Sequence, residues 1–416
     1  MKALELFAGA GGLGMGVARA GFDHAAVIEW NADACATLRE NRDRGIAPVA
    51  HWPEVYEGDA RAFDYGAVEA VDLVAGGPPC QPFSLGGKHR ADRDARDMWP
   101  EAVRAVRELR PDAFIFENVR GLVRPAFAAY FEHVTLQLAY PEIGRRDGED
   151  WAAHRERLLR HRNGRKADAG LVYRVQFRVL NAADFGVPQK RHRVFVVGFR
   201  SDLDAGWAFP APTHSREALA RAQWVTGDYW ERHGVGKRSR PSPPAGTHVL
   251  DCSTLPWVTV RDAISGLPAP REDRDAPGVL NHRLQPGARS YDGHTGSPLD
   301  EPAKALKAGD HGVPGGENML LRPDGSVRYF TVRESARLQT FPDDYAFSGA
   351  WSEAMRQIGN AVPVALAHVV ADAVRARLAA ISSGTTPPTE QHEHQAALRR
   401  GHARQSRSCS TSACSA

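Results

Sequence analysis

The amino-acid sequence predicts a doubly wound α/β domain with a mostly parallel sheet, into which a smaller and less regular domain is inserted. Three observations support this fold class. Short apolar runs alternate with helix-like stretches over the first 120 residues, and a glycine-rich turn directly follows the first run. From residue 200 to 330 this rhythm disappears, and Pro, Gly, Ser and Asp become frequent. Such alternation is typical of a parallel sheet covered by helices, whereas frequent turn residues indicate irregular structure.

Four apolar runs are typical of the buried strands of a parallel sheet. They are ALELF at 3–7, AAVIE at 25–29, VDLVA at 71–75 and AFIFENV at 113–119. Between the last two, Trp99, Val103, Val106 and Leu109 are spaced as one face of a helix. Residues 173–179 then alternate apolar and polar side chains, and VFVVGF follows. We expect these last two segments to form an antiparallel pair at the sheet edge.

The composition favours a self-supporting protein of the reducing cell interior. With 416 residues the chain is long enough for about two or three domains. Its five cysteines have no paired spacing, no secretory leader is recognisable, and no apolar stretch reaches the roughly 20 residues that span a bilayer. A formal net charge of +3 says little about partners. We therefore expect neither disulfides nor a membrane role.

The C-terminal part consists of one more helix and a polar tail. Leu366, Val370, Val374 and Leu378 lie on one face of an amphipathic helix. Residues 382–416 contain few apolar side chains, so we expect a disordered tail. Its histidines and cysteines match no structural zinc spacing, and no metal site is expected.

The glycine-rich turn AGAGGLGMG predicts a nucleotide-binding loop. Gly9, Gly11 and Gly14 satisfy GxGxxG, and Glu29 ends the second strand twenty residues after Gly9. This arrangement lets the backbone approach a ligand and places a carboxylate to accept ribose hydroxyls. It fits any adenosine-bearing cofactor. A nicotinamide or flavin oxidoreductase and an S-adenosylmethionine-dependent methyltransferase therefore both remain open.

Two neighbouring residues extend this candidate site, each with a structural alternative. Trp30 follows Glu29 and is placed to cover an adenine face, although a tryptophan at this position also suits core packing. Asp59 lies where the third strand should end, within reach of an adenine amino group. The alternative for Asp59 is a turn residue after Gly58.

A lone thiol, a carboxylate and two arginines form a second candidate group. Cys80, in GGPPCQPFS, follows the third buried run, and Glu117 ends the next strand. If these strands are neighbours, both side chains face one crevice at the carboxyl ends of the strands. Arg191 and Arg193 are two apart at the start of a strand and are expected to point the same way. Positive charge favours the thiolate that a nucleophilic cysteine needs. A buried structural thiol, a capping carboxylate and ordinary ion pairs are the alternatives.

At this point the chain resembles the DNA (cytosine-5)-methyltransferases of bacterial type II restriction-modification systems. Eight motifs occur in the order of that family and span residues 4 to about 380. They are ELFAGAGGLGMG, VIEWN, GD at 58–59, GGPPCQPFS, FENV, QKRHR, RESARLQTFPDDY and QIGNAVPVALA. A further family motif has only a rough counterpart in DARDMWPEAV, so the residues at the methionine end of the cofactor stay unassigned.

The resemblance implies a metal-free covalent mechanism. Cys80 is expected to attack carbon 6 of a cytosine, and Glu117 to hold ring nitrogen 3. Arg191 is expected to bind the carbonyl oxygen of the base, with Arg193 supporting it. Carbon 5 then takes the methyl group of S-adenosylmethionine, and the products are 5-methylcytosine and S-adenosylhomocysteine. The cytosine must leave the stacked duplex to reach these groups.

The resemblance also implies a Rossmann-like, S-adenosylmethionine-binding fold and a set of cofactor residues. Gln357 is expected to help complete the pocket. The other expected cofactor residues are Phe7, Ala8, Gly9, Gly11, Gly12, Leu13, Glu29, Trp30, Asp59, Ala60, Pro78, Asn360 and Val362.

By the same resemblance, a target-recognition domain at 200–343 interrupts the catalytic domain, which comprises 1–199 and 344–381. Within the recognition domain, GKRSR and the stretch from His294 to Met319 are candidate DNA contacts, while Arg333, Glu334 and Arg337 are expected to organise the domain. The implied partners are double-stranded DNA and a genetically linked endonuclease, and the Arg/Ala-rich composition suggests that the DNA site is a GC-rich palindrome. A monomer in the bacterial cytoplasm, associated with the nucleoid through DNA, is expected.

Three rival functions have discriminating features. A tRNA cytosine-5 methyltransferase of the same fold typically has a much smaller insert than this chain. An oxidoreductase has no reason to carry GGPPCQPFS and QKRHR. A non-enzymatic DNA-binding relative usually lacks the thiol that Cys80 supplies here.

Overall fold

The architecture is that of a computed structural model, which describes residues 1–79, 97–164, 170–203, 205–243, 253–308 and 318–384. Cys80 and the tail from residue 385 onward lie outside these ranges. Among the helices of the described ranges, none combines the length and the apolar character that a bilayer crossing requires.

A seven-stranded sheet forms the centre of the molecule. The first eight strands are β1 (Lys2–Leu6), β2 (Asp23–Glu29), β3 (Tyr56–Glu57), β4 (Leu73–Gly76), β5 (Ala113–Val119), β6 (Tyr173–Asn181), β7 (Gln189–Lys190) and β8 (His192–Arg200). The order across the sheet is β3-β2-β1-β4-β5-β8-β6. The first five strands pair in parallel, and β8 is antiparallel to β5 and β6. The predicted neighbourhood of the third and fourth buried runs and the antiparallel pair at the edge are confirmed.

Helices cover both faces of this sheet. The helices of the described ranges are α1 (Gly12–Arg19), α2 (Ala32–Asp43), α3 (Trp99–Leu109), α4 (Ala128–Ala139), α5 (Trp151–Arg162), α6 (Arg216–Trp224), α7 (Asp228–Arg232), α8 (Val260–Ile264), α9 (Val332–Leu338), α10 (Trp351–Asn360) and α11 (Val364–Ser382). α1 and α11 pack on one face, where Ile115 is buried, and α3 and α4 on the other, where Phe114 and Phe116 are buried. Successive strand residues point to opposite faces, so the continuous apolar run of β5 supplies both cores.

The inserted residues form short strands and helices. The remaining strands are β9 (His214–Ser215), β10 (Leu255–Pro256), β11 (Ser297–Pro298), β12 (Ala303–Lys304), β13 (Met319–Leu321) and β14 (Val327–Tyr329). β9 pairs with β10, and β11, β13 and β14 form a three-stranded sheet. β12 pairs in parallel with β7, with Ala303 opposite Gln189. This pairing attaches the insert to the segment that leads into β8.

Three charged residues of α9 connect this helix to the segments around it. Arg333 is fully buried and donates hydrogen bonds to the carbonyl oxygens of Leu280, Pro342 and Tyr345. Glu334 forms a capping box at the start of α9, and Arg337 makes a bidentate ion pair with Asp343.

Gly16 sets the distance between α1 and α11. A Cβ atom at this position would lie 2.4 Å from Cβ of Ala367 and 2.5 Å from the backbone nitrogen of His368. Both neighbours belong to α11, whose backbone cannot move without disturbing the buried face of that helix. The close approach of the two helices therefore requires glycine.

We expect Gly16→Val to lower the free energy of unfolding by at least about 1–3 kcal/mol, because overpacking forces the two helices apart. Urea unfolding followed by circular dichroism measures the change. Gly236→Val is the control, since a Cβ at Gly236 meets no atom within 4 Å and its φ is −61°. Equal stability of the Gly16 and Gly236 variants would contradict the packing role.

Candidate active site

The candidate site lies at the carboxyl edge of the central sheet. The glycine loop follows β1, Glu29 ends β2, and residues 77–79 follow β4. Glu117 and Asn118 are near the end of β5, which is parallel to β4 and hydrogen-bonded to it. Because β2, β1, β4 and β5 are parallel, the glycine loop, Glu29 and Glu117 lie at the same edge of the sheet.

The glycine loop turns sharply through left-handed backbone conformations. Phe7, Gly9 and Gly11 have φ values of 58°, 55° and 83°. The turn is closed by a hydrogen bond from the backbone N–H of Gly11 to the carbonyl oxygen of Ala8, at 2.9 Å. A Cβ added at Gly9 would meet no atom within 4 Å, whereas one at Gly11 would contact Leu38 and a tryptophan ring. Gly9 is therefore the glycine of this turn that faces open space, where a ligand can approach.

Gly12 and Gly14 serve packing inside the protein. A Cβ at Gly12 would lie 2.4 Å from the carbonyl oxygen of Val362, and one at Gly14 would lie 1.9 Å from Oε2 of Glu5. Glu5 is buried, accepts a hydrogen bond from the N–H of Gly14 at 2.9 Å and contacts Nε2 of His24 at 3.1 Å. The motif GxGxxG thus combines one ligand-facing glycine with others that let the loop and α1 approach their neighbours.

The Glu29 carboxylate holds this loop in place. It accepts hydrogen bonds from the backbone N–H groups of Gly9 at 2.7 Å, Trp30 at 3.0 Å and Asn31 at 2.8 Å. Burial raises the pKa of Glu29, and these three hydrogen bonds oppose that rise. The Trp30 side chain is 74% exposed, which excludes the core-packing alternative for this residue.

Asp59 has the turn role that the sequence left open. Its carboxylate accepts the N–H of Arg61 at 2.9 Å and caps the short turn Ala60–Ala62. The N–H of Gly58 donates to the carbonyl oxygen of Glu29 at 2.9 Å, so Asp59 also lies close to the end of β2. The exposed half of its side chain remains available beside the glycine loop.

The segment that leads to Cys80 is fixed to β5. Nδ2 of Asn118 donates to the carbonyl oxygen of Pro78 at 2.9 Å. A Cβ at Gly77 would lie 3.7 Å from Oε2 of Glu117, so the ends of β4 and β5 are in close proximity. The motif FENV is named in the sequence analysis, but Asn118 has no role there. The position of Asn118 directly after Glu117 in that motif could have indicated that it belongs to the site.

Glu117 is a buried acid with a cationic partner. Its side chain is 8% exposed, and Oε1 lies 2.9 Å from Nε of Arg193. Burial raises the pKa of Glu117, while the positive charges of Arg193 and Arg191 lower it; the net direction is upward. The environment therefore stabilises the protonated form of this carboxyl group above the usual pH range.

The two arginines of QKRHR bind different partners. Arg191 is fully buried and donates to the carbonyl oxygens of Leu306 at 2.8 Å, Gly359 at 2.7 Å and Ala361 at 3.0 Å. Arg193 contacts Glu117. Arg191 lies between β7 and β8, and the charges of both Arg193 and Arg191 lower the pKa of Glu117, so both guanidinium groups lie near this carboxyl group.

Three residues of the C-terminal segment 344–381 are expected at the site, and their positions differ. Gln357 is buried, accepts from Oγ1 of Thr37 at 2.8 Å and donates to the carbonyl oxygen of Ser348 at 3.1 Å. Both ends of this amide are engaged within the fold, and its place in the cofactor pocket stays a prediction. Asn360 is exposed at the end of α10, and Val362 contacts the glycine loop through Gly12.

Tyr345 and Phe341 also support the glycine loop, although sequence reasoning gave them no role. The hydroxyl of Tyr345 donates to the carbonyl oxygen of Ala10 at 2.9 Å, and a Cβ at Gly12 would lie 3.3 Å from Cζ of Phe341. Both belong to the motif RESARLQTFPDDY. Their aromatic side chains near the end of this motif could have indicated a packing role.

The site fits an adenosine-bearing cofactor and includes no recognisable metal centre within the described ranges. An open glycine turn, a buried carboxylate and an exposed indole lie side by side, as adenosine recognition requires. A search of the described ranges finds no group of three or more His, Cys, Asp or Glu side chains placed to hold a metal ion.

This fold and this site define a Rossmann-like α/β protein with a place for an adenosine-bearing cofactor. The chain belongs to the C-5 cytosine-specific DNA methylase family, whose model matches residues 1–140, 155–237 and 288–376. The Type II methyltransferase M.NgoMIV of Neisseria gonorrhoeae is 31% identical over 379 residues, which cover 88% of this chain and 95% of that protein. The Type II methyltransferase M.SacI of Streptomyces achromogenes is 32% identical, with 82% and 81% covered.

Two solved structures share the fold. A protein described as a DNA modification methyltransferase of an E. coli prophage matches with a TM-score of 0.55 and 20% identity, covering 91% of this chain and 99% of its own. The methyltransferase EhMeth of Entamoeba histolytica matches with a TM-score of 0.53 and 12% identity, covering 91% and 98%. At such identities the likeness concerns the fold. The family match makes this protein a DNA cytosine-5 methyltransferase.

The buried Glu117 predicts a specific pH dependence of stability. Its ordinary pKa is near 4.5, and burial raises that value in the folded state. Above pH 4.5 the unfolded chain therefore releases this proton before the folded protein does, and the folded state loses stability as pH rises. The free energy of unfolding of the wild type, minus that of Glu117→Gln, should therefore decrease as the pH rises above 4.5. The decrease is at most about 1.4 kcal/mol per pH unit.

Urea unfolding of both proteins between pH 4.5 and neutrality measures this difference. The other buried carboxyl groups of the described residues, Glu5, Glu29 and Glu334, are present in both proteins, and their contributions cancel. A difference that stays flat or rises with pH would contradict the upward shift of Glu117.

Proposed function

We propose that the protein transfers a methyl group from S-adenosylmethionine to carbon 5 of a specific cytosine in double-stranded DNA, using Cys80 and Glu117. The observation that carries this proposal is the pairing of the buried Glu117 with Arg193, beside the Gly77–Pro79 segment that leads to the thiol. The cofactor loop lies at the same sheet edge.

Cys80 is the proposed nucleophile. Its thiolate sulfur forms a bond to carbon 6 of the cytosine, and the electron pair of the 5,6 double bond makes carbon 5 nucleophilic. Once carbon 5 carries the methyl group, loss of its proton and cleavage of the sulfur–carbon bond restore the aromatic ring. Cys80 comes directly after Pro79 in the chain, and the contact between Asn118 and Pro78 fixes the start of its segment.

Glu117 is the proposed hydrogen-bond donor to ring nitrogen 3. Burial raises the pKa of Glu117 and so favours the protonated carboxyl group, whose donation to nitrogen 3 stabilises the electron density that thiolate attack sends into the ring. A freely exposed glutamate is ionised at neutral pH and lacks this proton. The buried position is therefore part of its proposed chemistry.

Arg193 is the better candidate for the carbonyl oxygen of the base. The sequence interpretation gave that place to Arg191, but the guanidinium of Arg191 is enclosed by three protein carbonyl groups. Arg193 contacts Glu117 and keeps 14% of its side chain exposed, so its remaining N–H donors are available to the base. We assign Arg191 a positioning role.

When bound, S-adenosylmethionine supplies the methyl group. Gly9 provides the open backbone, Glu29 a carboxylate and Trp30 an exposed ring for its adenosine part, and Asp59 lies beside them. Phe7, Ala8, Gly11, Gly12, Leu13, Ala60, Pro78, Asn360 and Val362 are the other proposed pocket residues. The proposed chemistry needs no metal.

The proposed biological role is host modification in a restriction-modification system. The similarity to proteins named Type II methyltransferases supports it. Residues 200–343 are proposed to recognise a GC-rich palindromic site, with a single protomer flipping the cytosine out of the duplex. The companion endonuclease is linked genetically and needs no physical contact, and the enzyme acts on chromosomal DNA in the cytoplasm.

The function is tested with a methyl-transfer assay on duplex DNA, and with tRNA as the competing acceptor. Cys80→Ser should abolish transfer to DNA but leave S-adenosylmethionine binding intact. Duplex DNA containing 5-fluorocytosine at the target should trap the wild type in a covalent complex that survives denaturant, since carbon 5 then has no proton to lose. Retained turnover in Cys80→Ser, or transfer to tRNA and not to DNA, would overturn the proposal.

The two arginines should respond differently to removal of their charge. Arg193→Met is expected to lower kcat by roughly 10²–10³ while the Kd for S-adenosylmethionine is unchanged, because one donor to developing charge is lost. Arg191→Met leaves three carbonyl groups without this donor and should cost about 1–3 kcal/mol of stability for each. Steady-state kinetics, cofactor titration and urea unfolding separate the two. A stable Arg191→Met protein with kcat selectively lost would return the base contact to Arg191.

A further inference from the structure

Two arginines follow β5, the strand that carries Glu117, on the rim of the candidate site. Arg120 begins the short turn Arg120–Val123 directly after β5, and Arg124 comes after this turn. Both side chains are exposed. Within the described residues, neither side chain makes a hydrogen bond or an ion pair with a carboxylate.

Carboxylates neutralise some of the other arginines of the protein. Arg39 pairs with Glu54 and Glu57, and Arg110 pairs with Glu142. Arg120 and Arg124 keep their full charge available to a partner from solution.

The surroundings of Arg120 are positively charged. Val119 is opposite Arg193 in the antiparallel β5–β8 pairing. The next residue, Arg120, is therefore close to the exposed His192. Arg120 and Arg193 both lower the pKa of His192, after the larger effect of desolvation, and the nearby acid is Asp184. Oδ1 of Asp184 already accepts hydrogen bonds from Asn181 and Trp257. The rim beside Glu117 is therefore cationic.

The position of these arginines matches the path of a DNA strand. A target base that reaches Glu117 brings its own sugar and phosphates to the rim of the site. Arg120 is three residues from Glu117, which is at most roughly 10 Å along an extended backbone. Guanidinium groups bind phosphate oxygens through two parallel hydrogen bonds, and such contacts position a strand without reading its sequence.

We propose that Arg120 and Arg124 bind the DNA backbone phosphates that flank the flipped cytosine. They hold the target strand against the end of β5 and contribute to binding whatever the base sequence. This inference rests on the proposed function, since it requires that DNA delivers a base to Glu117.

The salt dependence of DNA binding tests the proposal. The Kd of a mixed-sequence duplex of 30 base pairs is measured by fluorescence anisotropy between about 50 and 200 mM KCl. For Arg120→Gln and for Arg124→Gln, the slope of log K against log salt should be shallower than the wild-type slope by about 0.9, and the double variant should lose about twice that. KM for DNA should rise while kcat at saturating DNA and the Kd for S-adenosylmethionine stay unchanged.

Two further variants serve as controls. Lys2→Gln removes an exposed positive charge at the start of β1, on the opposite edge of the sheet, and should leave the slope unchanged. Arg120→Lys retains the charge, so its slope should equal that of the wild type although its affinity is lower. Cofactor binding by each variant verifies that it is folded.

The possible failures are distinguishable. If the arginine variants keep the wild-type slope, or change it no more than Lys2→Gln does, the phosphate contacts are refuted while the methyltransferase function stands. If the wild-type protein neither binds nor methylates duplex DNA, the proposed function fails, and the phosphate contacts fail with it.

Discussion

The buried guanidinium of Arg191 is the interaction on which the arrangement of this protein depends. Arg191 precedes β8, Leu306 belongs to the inserted residues, and Gly359 and Ala361 belong to the return segment. One side chain therefore joins three parts of the chain that are far apart in sequence. Gln189 reinforces the junction, since its side chain binds both Leu306 and Leu338. A buried charge is costly unless its donors are satisfied, so this geometry tolerates little change.

The junction also connects the two halves of the catalytic site. Ala361 precedes Val362, whose carbonyl oxygen touches Gly12 of the cofactor loop. On the other side, Arg193 follows Arg191 by two residues and meets Glu117. The inserted residues, the glycine loop and Glu117 thus meet around one junction. Reactions that depend on near-attack geometry gain from such preorganisation, because small displacements of the reacting groups are costly in rate.

Much of the fold and part of the site could be predicted from the sequence. The continuous apolar run of AFIFENV marks a strand buried on both faces, and the periodicity of Leu366 to Leu378 marks a helix, since both patterns depend on local geometry alone. The order of the apolar runs placed Glu117 and the glycine loop at one sheet edge. The partners of Arg191, Gln357 and Asn118 could not be predicted, because they come from residues distant in sequence, and either direction of Arg191 suits QKRHR equally well.

The motif order of the sequence by itself indicated the family, and its apolar runs placed a glycine-rich loop and a carboxylate at the ends of parallel strands. Those features are local, because a strand followed by a turn positions its own residues. Tertiary structure alone decided which glycine faces the ligand, which arginine is enclosed, and how strongly Glu117 is buried. Burial and close approach are properties of the neighbours that the fold brings together, and no single segment encodes its neighbours.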